Sequence, residues 1–506
     1  MSSVRRSRVR RVLVGSAALL LVLVLAVGSG FAWVFTTADV STVGVVDFDR
    51  ELAVPPLAQS RLEADGTRVF QLDMRSGQRE FEPGRVTPTW GFNGDHLGPT
   101  LRARRGEPVR VVVRNGLPET SSVHWHGMHL PPVMDGGPHQ PVAAGATWTP
   151  QWQVDQPAAT LWYHPHPHGE TESHVRRGLA GMFILDDDES DTLALPRTYG
   201  VDDLPVMVQD VRFRNGAFDG SHRIFRDIGF LGDRILVNGT LSPYREVGDE
   251  LIRLRLLNAS TARIYNFGFA DDREFALIGT DGGLLERPAD LDRVQLSPGE
   301  RAEIVVRMRP GERVALRGYP LAAGLDFFTQ RFSGGDDSFD ILQLRAAETL
   351  RPTPQLPATL VAQQTPDGSA SARERTFDLR FAQINGQPMD MNRIDATITR
   401  GTTETWVVRN ADGMPHNFHI HDVQFRVLSV DGSAPPAALR GPKDTVYIGP
   451  NSTVRLAVRF DGPADPDTPY MFHCHLLWHE DRGMMGQFVV VEPGGAAGTP
   501  PRHGGH

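Results

Sequence analysis

Along most of the chain, apolar residues come in short runs with partial alternation, separated by turn residues. Three of these runs resemble one another: Val109-Arg110-Val111-Val112-Val113-Arg114, Leu251-Ile252-Arg253-Leu254-Arg255-Leu256-Leu257 and Trp406-Val407-Val408-Arg409. Period-two alternation of this kind predicts strands with a buried face. Each run follows a turn (Arg105-Gly106-Glu107, Gly248-Asp249-Glu250, Gly401-Thr402-Thr403-Glu404) and exits through an asparagine: Asn115, Asn258 and Asn410. A second set recurs downstream, at Gly145-Ala146-Thr147-Trp148, Pro298-Gly299-Glu300-Arg301 and Pro450-Asn451-Ser452-Thr453, each opening another strand. Copies lie roughly 150 residues apart, one domain's worth. The pattern predicts three related β-sandwiches, over residues 45–187, 195–347 and 375–492. The acidic stretch Asp186-Asp187-Asp188-Glu189-Ser190-Asp191 reads as the first linker, and residues 352–373, rich in Pro, Thr, Ala and Gln, as the second. The tail, 493–506, is expected to be disordered.

The N-terminus breaks the pattern. Arg5, Arg6, Arg8, Arg10 and Arg11 precede an uncharged stretch over residues 12–38, whose centre is Leu19-Leu20-Leu21-Val22-Leu23-Val24-Leu25. Residues 1–40 therefore read as a signal sequence or a membrane anchor. The stretch is longer than a usual signal core and has no clean Ala-x-Ala site, which favours an anchor. The arginines stay inside and the remainder goes out. The protein is thus expected to be extracytoplasmic, either secreted or held by a membrane tether on the outer face of the cytoplasmic membrane.

Composition adds little to the fold but narrows the partners. The 51 glycines and 38 prolines suit an all-β chain with many turns. The net charge is -9 and no Lys/Arg-rich run lies beyond the N-terminal segment, so nucleic acid is not expected as a partner. With a single cysteine, Cys474, no disulfide supports the fold, and that thiol is either inert or chemically used.

The histidines decide between those two. His124-Trp125-His126 is followed by His164-Pro165-His166; near the other end come His416, His419-Ile420-His421, His473-Cys474-His475 and His479. Only His222 lies between His174 and His416. Residues i and i+2 of a strand face the same side, so each His-x-His pair can reach one metal or two adjacent ones. Four such pairs supply eight imidazoles, which suit copper, zinc, iron or nickel. Cys474 has His479 five residues on and Met484 ten residues on, with His416 upstream. Two imidazoles, a thiolate and a thioether are the donor set of a blue electron-transfer copper, whereas zinc has little use for the thioether.

These segments resemble the four copper-binding motifs of the three-domain multicopper oxidases: laccases, bilirubin oxidases and bacterial cuprous oxidases. The run Phe472-His473-Cys474-His475-Leu476-Leu477-Trp478-His479-Glu480-Asp481-Arg482-Gly483-Met484-Met485 is similar to the bacterial members, and the likeness extends to Ile278-Gly279-Thr280-Asp281-Gly282-Gly283. The resemblance implies three consecutive cupredoxin-like Greek-key sandwiches and four copper ions. His416, Cys474 and His479 would hold the type 1 copper with Met484 axial, and His124 and His419 the type 2 copper. His126, His164 and His473 would hold one type 3 copper, and His166, His421 and His475 the other. The cluster would lie between the first and third domains, with the middle one as spacer. Asn417 departs from the family, many of whose members have proline there. His96, His129, His139, His168, His174 and His222 read as surface or satisfied polar residues, with His503 and His506 in the tail.

The resemblance further implies one-electron oxidation of a small reducing substrate coupled to four-electron reduction of dioxygen to water. Cys474 would relay electrons, and Asp135 and Glu480 would serve proton delivery. Phenols and aromatic amines are the expected reductants, reaching an uncovered histidine edge at the type 1 site. Cu(I) is the alternative. Similar cuprous oxidases carry a methionine-rich insertion before the last domain, whereas residues 351–375 contain neither methionine nor histidine. Met389-Asp390-Met391 reads as a strand edge with buried methionines. A non-catalytic scaffold, as in relatives that have lost the ligands, would not retain the full donor set.

Overall fold

The computed structural model describes residues 2–222, 227–321, 324–362, 368 and 371–501. The helix Ser2–Thr36 comes first, and the rest is mainly strands. The three runs read from the sequence occupy the same place in three sheets. Pro108–Asn115, Leu251–Asn258 and Thr402–Asn410 each have a parallel neighbour on one side: Arg68–Glu82, Asp203–Val211 and Ser371–Arg380. On the other side each meets the strand opened by the second set of turns, antiparallel. A second sheet covers each of these, giving three sandwiches, each with an apolar core, and the third one's core continues into Ile228, Leu231 and Ala262 of the middle one. The all-β, cupredoxin-like architecture is as expected.

The asparagine at each strand exit has one task, done three times. The Asn115 amide donates to the carbonyls of Glu119 and Val142, and its oxygen accepts from Leu117 N. Asn258 does the same with Arg263, Leu296 and Ser260, and Asn410 with Met414, Ile448 and Asp412. Buried loop backbone must find partners, and one asparagine satisfies three groups while fixing how the chain re-enters the second sheet. In the first and third sandwiches that re-entry is the strand His124–His126 or His416–Ile420; in the middle one it is Tyr265–Phe269, without histidine.

Three segments differ from the sequence reading. Residues 40–51, which straddle the expected start of the first sandwich, run along the middle one: Ser41 bridges Ser338, Glu51 bridges Tyr244, and Arg345 donates to Phe48 O. In the tail, Gly498 and Thr499 donate to Pro466 O and Asp467, so the chain is held to there; residues 502–506, with His503 and His506, lie outside the described residues. The last strand of the middle sandwich, Phe339–Arg351, extends past residue 347. Residues 363–367, 369 and 370 of the second linker are outside the described residues.

Candidate metal centre

The histidine pairs sit where strands end. His124 is opposite His164 in the first sandwich, and His419 is opposite His473 in the third. His164 and His473 are the last residues of their strands, so His166 and His475 lie just beyond in the following loops. Pro165 and Pro167, which lack N–H groups, end the first of these strands. The loops thereby fold the second member of each pair back toward the first, and the two sandwiches face each other across eight buried rings.

The rings fall into groups. His164 Nε2 is 3.4 Å from both His126 Nδ1 and His475 Nε2. His473 Nε2 is 3.3 Å from both His166 Nε2 and His421 Nε2. His473 and His475 therefore exchange places relative to expectation: His475 joins His126 and His164, and His473 joins His166 and His421. Side-chain period alone cannot tell which of two residues flanking Cys474 turns to which side. His124 Nε2 and His419 Nε2 are buried with no hydrogen-bond partner, while their Nδ1 atoms meet Asp135 O at 3.0 Å and Asp444 O at 2.8 Å. An imidazole whose outer nitrogen donates to a carbonyl presents a lone pair inward, as a metal ligand does.

Burial, reinforced by the neighbouring rings, holds His126, His164, His419 and His421 well below the ordinary histidine range. His475 is likewise held low by burial. Burial takes His166 to about 3, against the pull of Glu480. These six rings are thus neutral, the form that binds metal. Three carboxylates hold them from outside. Asp135 Oδ2 accepts from His421 Nδ1 at 2.7 Å, and Glu480 lies 3.3 Å from His166 Nδ1 and 3.1 Å from His473 Nδ1. Asp444 Oδ1 accepts from His126 Nε2 at 3.0 Å. Asp135 and Glu480 are buried rather than surface carboxylates. Asp444 was not legible in the sequence; a charged Lys443-Asp444 pair entering the apolar strand Thr445–Ile448 was the available signal.

A separate set surrounds Cys474. His416 Nδ1 and His479 Nδ1 are 3.1 Å apart, and Cys474 Sγ is 3.8 Å from the first and 3.6 Å from the second. Met484 is buried, and its backbone binds Cys474 N and His479 O. Burial pushes the Cys474 thiol up to about 12 and the His479 ring down to about 3.

Two histidine-containing strands from each of two sandwiches, one cysteine between two cluster histidines, and this second donor set have parallels among known proteins. The multicopper oxidase family profiles match residues 73–190 and 353–494. The multicopper oxidase mco of Staphylococcus haemolyticus is 35% identical over 447 residues, 87% of this chain and 92% of that protein. The chain is a multicopper oxidase. It is also similar to the cell division protein FtsP of Salmonella typhimurium, 39% identical over 449 residues, 87% of this chain and 92% of that one. Among solved structures, the laccase-like multicopper oxidase CueO from the lignin-degrading Ochrobactrum sp. superposes with a TM-score of 0.79 at 36% identity, over 87% of this chain and 100% of that one.

In this oxidase the middle sandwich is more than a spacer. Arg301, fully buried, makes a two-pronged pair with Asp444 at 2.7 and 2.6 Å, behind His126. Asn417, the departure from the family, donates to Ser297 Oγ and Pro298 O of the middle sandwich at 3.0 and 2.9 Å. Its oxygen accepts from His475 N at 2.5 Å and lies 3.5 Å from Cys474 Sγ. The edges of His416 and His479, expected to be uncovered, are covered. Both rings are buried, with His416 Nε2 3.1 Å from Asp412 and His479 Nε2 donating to Asp227 O at 2.9 Å. Met389 and Met391 are half-buried in a loop, not on a strand edge, and Met389 N donates to Gly483 O, next to Met484. None of His96, His129, His139, His168, His174 or His222 joins either donor group among the described residues.

Proposed function

We propose that the chain binds four coppers and couples one-electron oxidation of phenols or aromatic amines to reduction of dioxygen to water, outside the cytoplasm. The complete donor set carries this reading: His416, Cys474, His479 and Met484 for a type 1 ion, His124 and His419 for type 2, and the two groups of three histidines for the type 3 pair. Copper there supplies the one-electron chemistry and the four-electron reduction of dioxygen. The protein's own contribution is to keep eight rings buried and oriented by their outer partners, and to join the two sites covalently through Cys474 and its neighbours. Asp135 and Glu480, each touching cluster rings, are suited to pass protons toward the site. Asp412, about a fifth exposed and held down to about 2 by its bond to His416 against the effect of burial, offers an ionised carboxylate where a phenol O–H could donate beside that ring.

The relative described as acting on lignin model compounds supports the phenolic reading. A second reading, oxidation of Cu(I), is favoured by one observation: the Met389-Asp390-Met391 loop touches the segment bearing Met484. Turnover of a dimethoxyphenol by holoprotein, without added copper, separates them. Phenol oxidation that requires excess Cu(II), and that falls together with Cu(I) oxidation in Met389→Ala and Met391→Ala, would establish the metal-ion reading. A scaffold role, suggested by the FtsP likeness, would require loss of copper ligands, and every one is present.

A further inference from the structure

The helix Ser2–Thr36 is apolar over Val9–Thr36 and unburied. At 1.5 Å per residue, the rise from Val12 to Phe31 is about 29 Å, close to the ~30 Å hydrocarbon thickness of a bilayer. With the five N-terminal arginines at the inner surface, Phe31, Trp33 and Phe35 come level with the outer headgroups, where aromatic rings concentrate. A second element meets them there. The short helix Phe327–Phe332 belongs to the middle sandwich, capped by Asp326. Phe35 stacks on Phe327 with ring centroids 4.7 Å apart and packs edge-on to Phe332 at 5.9 Å; Phe31 lies 6.1 Å from Phe328. Arg331 lies over Phe35 and pairs with Asp39 at 2.9 Å, fixing the junction. Yet Phe327 and Phe328 remain 68% and 54% exposed, and Trp33 is 68% exposed.

We propose that Phe327 and Phe328 form a membrane foot: with the helix retained as an anchor, they insert into the interfacial layer of the outer leaflet beside it. The span then does not end in a free tether; the middle sandwich rests on the bilayer in a set orientation. The occupant is the lipid interface and not a protein, because the exposed rings continue the surface of the spanning helix at the depth its length dictates. Insertion is apolar rather than electrostatic, since Asp39, Asp326 and Asp336 surround the patch.

The test uses the full-length holoprotein in phosphatidylcholine nanodiscs. Cys474 is buried, so a nitroxide thiol label reports only the engineered Phe328→Cys; Leu62→Cys, on an exposed strand of the first sandwich, is the aqueous control. The ratio of oxygen to nickel-chelate accessibility is expected to be several-fold higher at 328 than at 62. It should be unchanged by 1 M salt (a screening length of about 3 Å) or by anionic lipid. Equal ratios at the two positions, a ratio at 328 that depends on anionic lipid, or a membrane-isolated chain shown by mass spectrometry to lack the first 36 residues would each overturn the proposal. A companion Phe327→Cys label tests the same depth where Phe328→Cys perturbs the helix.

Discussion

Replacing Arg301 by methionine removes a buried guanidinium that serves five acceptor atoms. It pairs with both oxygens of Asp444 and donates to the carbonyls of Thr160, Gly299 and Asp281. The surrounding charges are Lys443, which pairs with Asp281 and Glu300 at 3.0 Å each, and these two carboxylates. Without Arg301, Lys443 is the remaining cation facing three carboxylates. Breaking a buried pair from one side costs about 3–5 kcal/mol, because the other charge is stranded. At an m-value on the order of 3 kcal/mol/M for a unit this large, the urea midpoint of the copper-free protein, followed by tryptophan fluorescence, falls by roughly 1 M or more. A second readout concerns copper. His126 Nε2 donates to Asp444, which leaves Nδ1 free to face His164. Without the guanidinium, the Asp444 carboxylate is no longer held in place to accept from Nε2, and the tautomer that leaves Nδ1 without a proton is no longer fixed. Arg301→Met should therefore lose copper at the His126 group first, unpairing its neighbour and adding an EPR signal. Arg301→Met/Asp444→Asn should recover more than half of the stability loss, since no charge is stranded. An unchanged urea midpoint together with full copper content in Arg301→Met would refute the argument.

Other perturbations test neighbouring steps. Asp135→Asn and Glu480→Gln should slow reoxidation of the fully reduced enzyme by oxygen, leaving reduction of the type 1 site unchanged; reoxidation as fast as the parent's at every pH excludes both from proton delivery. With its thiol pushed up to about 12 by burial, Cys474 of the copper-free native protein should resist iodoacetamide at pH 8 and react when unfolded; rapid native labelling contradicts the burial. His126, His164, His166, His419, His421 and His475 are held low in the fold, while their unfolded values lie near 6.5, so below that pH the unfolded chain binds more protons. Copper-free protein should then lose up to about 1.4 kcal/mol per pH unit for each such histidine as pH falls from 6.5, whereas bound copper competes with those protons; coincident acid-unfolding curves for the two forms would contradict this. Asn417→Ala strands His475 N and Pro298 O, costing about 1–3 kcal/mol and shifting the thiolate-to-copper absorption, and an unmoved band with unchanged stability tells against its role.

What could be read from the sequence is what is local. The strands announced themselves by alternation, and the exit asparagines by recurring at the same place. The four His-x-His pairs stood out because strand period puts both rings of a pair on one side. The missing features depend on residues far apart in the chain. Asp444 meets His126 across 318 positions, and Arg301 meets Asp444 across 143. Neither stands in a motif, and each reads as a surface charge until the sandwiches are packed together. Asn417 was visible as a departure from the family's proline; its two-faced amide has meaning only when Ser297 and Pro298 of another sandwich are beside it. The exchange of His473 and His475 has the same origin, since ring direction past a strand end is set by the loop and not by the period.

The outer partners of the rings also decide which nitrogen can serve a metal. His124 and His419 each donate from Nδ1 to a backbone carbonyl, and His421 donates from Nδ1 to Asp135, so all three offer Nε2. Among the eight rings between the outer sandwiches, only His126 has its carboxylate, Asp444, at Nε2, and offers Nδ1. A short side of the ring then faces the group containing His164 and His475, which suits a strand, His124–His126, that also carries a ring for a different group. Two rings two residues apart on one strand reach two different points because their carboxylate and carbonyl partners select opposite nitrogens. Those partners come from different places. Asp135 follows the first sandwich's own loop, Asp444 belongs to the third, and Arg301, which donates to both oxygens of Asp444, belongs to the middle. The site between the outer sandwiches is therefore specified by all three, which is a physical reason for a histidine-poor middle unit to be part of it.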